Sequence, residues 1–101
     1  MLESVSNEEA KKLIQEKNSD DKFIILDVRT PGEFQGGAMP GAKNIDYYEP
    51  SFIAELNKLD KKGSYLIYCR SGSRSKGALE IMQQLGFSEV YELDNGIMNF
   101  Q

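Results

Sequence analysis

Cys69 is the only cysteine of the chain, and it opens the run Cys69-Arg70-Ser71-Gly72-Ser73-Arg74-Ser75. A thiol acts as a nucleophile through its thiolate, and nearby cations, backbone N–H groups and a helix N-terminus all favour that form. Two arginines follow within five residues, and three serines bring hydroxyl donors. Gly72 permits positive φ and close backbone approach. Successive N–H groups in such a loop turn inward as an anion nest, backed by the dipole of a helix that follows. The run therefore predicts a cup for an anion centred on the Cys69 sulfur. Ser71, Gly72, Ser73 and Ser75 supply donors, and Arg70 and Arg74 supply charge. The same cup would hold a thiolate, a persulfide one sulfur longer, or the oxygens of a bound oxyanion.

A lone cysteine at a strand end is otherwise a small hydrophobe. The flanking arginines weigh against that reading, because charges beside an inert core thiol would need other partners. The chain has no histidine. Cys-His and Ser-His-Asp catalysis are therefore excluded. A structural zinc site is excluded too, since one cysteine cannot supply its ligands. No metal and no cofactor are expected, and Cys69 must be activated by arginine, by backbone dipoles, or by both.

The remaining polar residues admit two roles each. Asp27 and Arg29 either face the site or form an ion-pair network with Glu33 that supports the loop, and the supporting role is favoured. Arg74 either contacts a bound oxyanion or ties the loop down, with contact favoured slightly. Arg70, on the outer rim, is the better candidate to face substrate. Each serine is a donor or a turn residue, and Ser75 is a candidate N-cap. Tyr47 and Tyr48 either wall the site or sit in an exposed loop.

Alternation of strand and helix signals positions these residues. Residues 1–101 suit one domain with its own core. Ser6 and Glu9 form a capping box that opens a helix over 7–17, with Val5 and Ala10 at the staple positions. The apolar, β-branched run 23–28 predicts a strand buried on both faces. Thr30-Pro31-Gly32-Glu33 is a second capping box with proline at N1. A turn at 39–41 leads to a short strand over 42–45, and a helix follows at about 51–59. The strand 64–69 ends on Cys69, and a helix from Arg74 or Ser75 runs to Gly86 at C′. A strand at 89–93 and a helical turn within 96–101 close the chain. Such βαβ order predicts a largely parallel sheet with sites at the carboxyl ends of its strands.

Composition narrows the partners. A formal net charge of −4 and the lack of any basic run argue against nucleic acid. No apolar run approaches membrane-spanning length and no leader pattern is visible, so no membrane is expected and the cytoplasm is the default location. One cysteine cannot form an internal disulfide.

The loop from Cys69 to Ser75 resembles the active-site loop of rhodanese-type sulfurtransferases. Leu26-Asp27-Val28-Arg29-Thr30-Pro31-Gly32-Glu33-Phe34 resembles the first signature of that family. Met39-Pro40-Gly41-Ala42-Lys43-Asn44-Ile45 resembles the segment that follows it, and Leu93-Asp94-Asn95-Gly96-Ile97 onward resembles the closing signature. The resemblance covers nearly the whole chain and implies a single rhodanese-like α/β domain, with a parallel five-stranded sheet and helices on both faces. It also implies a thiosulfate sulfurtransferase. Cys69 would take the outer sulfur of thiosulfate or another donor as a persulfide and pass it to cyanide, a small thiol or a protein acceptor. Phe100 stands where the family usually has tryptophan, and Ala38-Met39 where it often has histidine, which implies altered packing. Phosphatases and arsenate reductases of the same fold have five residues between cysteine and arginine, whereas here four separate Cys69 from Arg74. That shorter loop suits a sulfur atom better than a phosphoryl group. A non-enzymatic persulfide relay or binding module remains the third reading.

Overall fold

The computed structural model describes residues 1–100, with residue 99 described by its backbone only. Five parallel strands form the sheet: β1 (Leu2–Val5), β2 (Phe23–Asp27), β3 (Lys43–Asn44), β4 (Ser64–Tyr68) and β5 (Glu89–Leu93), in the order β1-β5-β4-β2-β3. The helices are α1 (Asn7–Lys17), α2 (Pro31–Gln35), α3 (Phe52–Leu56) and α4 (Ser73–Gln84), with a 3₁₀ turn at Ile97–Asn99.

Both capping boxes form. Ser6 Oγ accepts the Glu9 N–H at 3.2 Å, and Glu9 Oε1 accepts the Ser6 N–H at 2.9 Å. Thr30 and Glu33 repeat the exchange at the start of α2, where Pro31 occupies N1. Side-chain acceptors thereby satisfy orphan N–H groups at both helix starts.

The centre of the sheet is apolar on both sides because every residue of β4 is buried. Tyr65, Ile67 and Cys69 join Leu26, Phe52, Leu56, Ala78 and Met82 in a core beneath α3 and α4. Leu66 and Tyr68 join Ala10, Leu13, Met39 and Leu93 on the opposite face, beneath α1. The strand's two-residue period thus divides one run of side chains between two cores.

Several boundaries move. The unanticipated β1 pairs with β5, placing Ser4 opposite Glu92. Its run Leu2-Glu3-Ser4-Val5 buries only Val5, too little to stand out as a strand. The third helix is Phe52–Leu56 rather than about 51–59, and the strand expected over 42–45 contracts to Lys43–Asn44. The fourth helix starts at Ser73, ahead of the expected Arg74 or Ser75, with Gly72 as its N-cap. Ser75 is therefore the third helical residue and not a cap. The expected closing turn reaches residue 101, which lies outside the described residues. Met39, which follows Ala38 in the segment where the resemblance implied altered packing, is buried, and its N–H donates to Tyr68 Oη at 3.0 Å. Phe100 packs partly buried against the α1-side core.

Leu66 sits fully buried at the centre of β4. Leu66→Ala leaves a cavity there and is expected to lower stability by about 2–5 kcal/mol. Urea unfolding followed by circular dichroism measures the loss.

Candidate active site

Cys69 is the first residue beyond β4, on the sheet face covered by α4, and it is 1% exposed. The chain leaves the strand, turns, and re-enters as α4, so the helix N-terminus closes over the sulfur. Gly72 makes this possible with φ 110°. A Cβ at Gly72 would collide with the Asp94 carbonyl, so both conformation and space require glycine there. The closing segment clamps the loop from the other side. Ile97 N–H donates to Cys69 O at 2.9 Å, and Met98 N–H to Arg70 O at 3.1 Å. Gly96, with φ 74°, passes so close to Arg70 and Ser71 that a Cβ would strike their backbone.

The sulfur accepts the Gly72 N–H at 3.1 Å and the Ser75 N–H at 3.4 Å. Ser75 Oγ lies 3.5 Å from it. Burial pushes the thiol up, but the Ser75 hydroxyl and the N–H groups of Ser75, Gly72 and Ser71 outweigh burial, and the thiol ends below its ordinary value. The nest expected from the loop's composition is present, and backbone supplies most of it.

The three serines divide. Ser75 is buried and its hydroxyl reaches the sulfur. Ser71 contributes its N–H. Ser73 is exposed in the first turn of α4.

The arginines divide as well. Arg70 is exposed and lines a cleft of about 330 Å³ with Arg29, Gly37, Ile97 and Met98. Arg74 instead grips Glu33 with both prongs, Nη1 to Oε1 at 2.7 Å and Nη2 to Oε2 at 3.0 Å. Its guanidinium lies 5.3 Å from the centre of the exposed Tyr48 ring, and its charge still interacts with Cys69. Tyr47 is half-buried and packs on Phe52, with ring centres 5.2 Å apart.

The expected network of Asp27, Arg29 and Glu33 is instead two separate pairs. Asp27, fully buried, receives Arg29 Nη2 at 2.7 Å and the Arg29 N–H at 2.9 Å. Arg29 Nη2 also donates to Gly37 O at 2.7 Å, tying β2 to the loop after α2. Glu33 turns toward α4, where Arg74 meets it with both prongs. Arg29 is raised above its ordinary value, chiefly by its hydrogen bond to Asp27.

One residue at this site went unremarked in the sequence. Glu92 of β5 is fully buried on the Cys69 face and lies 2.5 Å from Ser75 Oγ. The available signal was a carboxylate inside the apolar run Val90-Tyr91-Glu92-Leu93, in a strand that a parallel sheet buries.

The Rhodanese-like domain family profile matches residues 6–101. A tRNA uridine(34) hydroxylase of Legionella pneumophila is 33% identical across 95% of this chain, which spans only 38% of that protein. The thiosulfate sulfurtransferase GlpE of Stutzerimonas stutzeri is 35% identical, over 72% of this chain and 65% of its own length. A crystal structure from Staphylococcus saprophyticus superposes with a TM-score of 0.78 at 30% identity, covering 99% of this chain and 94% of that one.

Two expectations follow from the geometry. Gly72→Ala introduces a side chain where φ is positive and the Asp94 carbonyl intrudes. It is expected to lower thermal stability and slow alkylation of Cys69, both measurable on the purified variant. The second concerns Glu33, lowered from 4.5 to about 2 by its hydrogen bond to Arg74, against burial and with help from the Thr30 N–H. A carboxylate lowered in the folded state adds stability above its unfolded value and loses it as the folded value is approached. The stability gap between wild type and Glu33→Gln should therefore be full above pH 4.5 and close as pH falls toward about 2. Urea midpoints across that range test it.

Proposed function

Because this chain belongs to the rhodanese-like domain family, we propose that it transfers a sulfane sulfur from a thiosulfate-like donor to a thiophilic acceptor through a persulfide on Cys69. The observation that carries this reading is a sulfur seated among the N–H groups of Ser71, Gly72 and Ser75 where the loop enters α4. Those donors stabilise negative charge on the first sulfur, and a second sulfur would remain within the same field.

The Cys69 thiolate attacks the outer sulfur of thiosulfate. A new S–S bond forms, the donor's S–S bond breaks, and sulfite departs with the electron pair. The enzyme is left as the Cys69 persulfide anion. Cyanide or a thiolate then attacks the outer sulfur and returns Cys69 to its starting charge. The persulfide makes this covalent catalysis, and once the thiolate is formed the attack needs no general base. Arg70, exposed at the rim, faces the oxyanion of the entering donor. Arg74 adds field from its place beside Glu33, and Ser71, Gly72, Ser73 and Ser75 shape the cup.

The relative named as a thiosulfate sulfurtransferase supports this class of donor. The hydroxylase relative shares this domain over a minor part of its length, and hydroxylation is not carried over to this chain. Four residues between Cys69 and Arg74 favour sulfur over a phosphoryl group. We place the activity in a reducing compartment, the cytoplasm, where a lone thiol stays reduced. Among the described residues no helix is long and apolar enough to cross a membrane.

Mass spectrometry of the intact chain after thiosulfate treatment is expected to show a gain of one sulfur atom, removed by cyanide. Cys69→Ser should show no gain and no thiocyanate production while keeping its fold. Activity retained in that variant, or no gain together with hydrolysis of an aryl phosphate by the wild type, would overturn the reading.

A further inference from the structure

The sulfur transfer above assigns no role to Glu92, although the residue is fully buried on the sheet face that carries Cys69. A carboxylate removed from water needs partners for its lone pairs. Ser4 Oγ, from β1, donates to Oε1 at 2.6 Å. Ser75 Oγ, from α4, lies 2.5 Å from Oε2. Lys76 Nζ, also from α4, pairs with Oε2 at 3.5 Å and with Asp94 Oδ1 at 2.8 Å. Beyond Ser75 lies Cys69, its Sγ 3.5 Å from the same Oγ.

A serine hydroxyl has one proton and two lone pairs. The acceptors around Ser75 Oγ are Glu92 Oε2 at 2.5 Å, Gly72 O at 3.1 Å and the sulfur at 3.5 Å. The shortest contact is to Glu92. While Glu92 is ionised, the Ser75 proton points to it, and Oγ offers Cys69 only a lone pair, which suits an S–H donor and not a thiolate. A negative carboxylate one hydroxyl away also disfavours negative charge on sulfur.

We propose that Cys69 and Glu92 share one negative charge across Ser75. The S–H bond breaks with its electron pair left on sulfur, and the proton bonds to Ser75 Oγ. The original Ser75 O–H bond breaks in the same event, and its proton bonds to Glu92 Oε2. A thiolate and a neutral carboxylic acid result, with no net charge brought into the buried site and no co-reactant. The Ser75 proton now faces the sulfur, and the new acid proton faces Ser75. Glu92 is thus a positioning residue that acts through Ser75: as a carboxylate it holds the hydroxyl proton away from sulfur, and its removal frees that proton for the thiolate. The inference rests on Cys69 being the nucleophile of the proposed sulfur transfer.

The test follows the pH dependence of Cys69 alkylation by iodoacetamide, which labels one site because there is one cysteine. It uses no sulfur donor, so its failure leaves the persulfide reading standing, and absence of a persulfide leaves its outcome readable. Glu92→Gln keeps the shape and removes the charge. It is expected to move the alkylation profile to lower pH and raise the neutral-pH rate severalfold. The same substitution placed on Ser75→Ala should change little. Glu92→Asp keeps the charge but withdraws its oxygens from Ser75, and it should move the profile in the same direction. This variant decides the matter should Glu92→Gln fold poorly. Profiles of both Glu92 variants that superpose on wild type would overturn the proposal. So would an equal displacement by Glu92→Gln with and without the Ser75 hydroxyl.

Discussion

The constraint on which the structure depends is the meeting of a strand end and a helix start within a few residues, with a sulfur between them. Cys69 leaves β4 and α4 begins at Ser73, so the backbone must reverse sharply while its N–H groups turn inward. Gly72 permits the reversal at φ 110°. Gly96 lets the closing segment lie against the loop, where its Ile97 and Met98 N–H groups hold the Cys69 and Arg70 carbonyls. With one carbonyl after another engaged from outside, the N–H side of the loop is left facing the thiol. The Ser75 hydroxyl and these fixed N–H dipoles together bring the thiol below its ordinary value against the effect of burial.

Charge is allocated around that cup by pairing. Two of the nearby arginines are committed to acids: Arg29 to buried Asp27, and Arg74 to Glu33. These pairs hold the two loops that border the cleft. Glu33 serves both as the N3 partner of Thr30 and as the clamp on Arg74, so one carboxylate fixes the start of α2 and its distance from α4. Arg70 remains exposed on the rim. In a chain with net charge −4, that leaves local positive charge on the rim of the site.

Much of this was legible locally. Capping boxes at Ser6–Glu9 and Thr30–Glu33 are written in residue types three positions apart, and both helices start where those boxes place them. The run 89–93 and the buried run ending at Cys69 are visible because apolar β-branched and aromatic residues cluster between polar turns. The first strand was not visible. Its residues are largely polar at a sheet edge, and it is defined by pairing with β5, a contact spanning nearly the whole chain.

The sequence alone singled out Cys69 as the candidate nucleophile and, with no histidine in the chain, left backbone dipoles, arginine or both to activate it. Residue types within a few positions of each other suffice for that, because a nest, a cap and a strand end are local objects. Tertiary structure decided which partners those groups have. Glu33 was expected beside Arg29 and belongs to Arg74. Ser75 was a candidate cap and hangs from the inside of α4 between Cys69 and Glu92. Glu92 meets Ser75 only because the parallel order β1-β5-β4 lays its face beneath α4. Ion pairs and hydrogen bonds form between groups that packing brings within about 3 Å, and distance along the chain does not encode which groups those are.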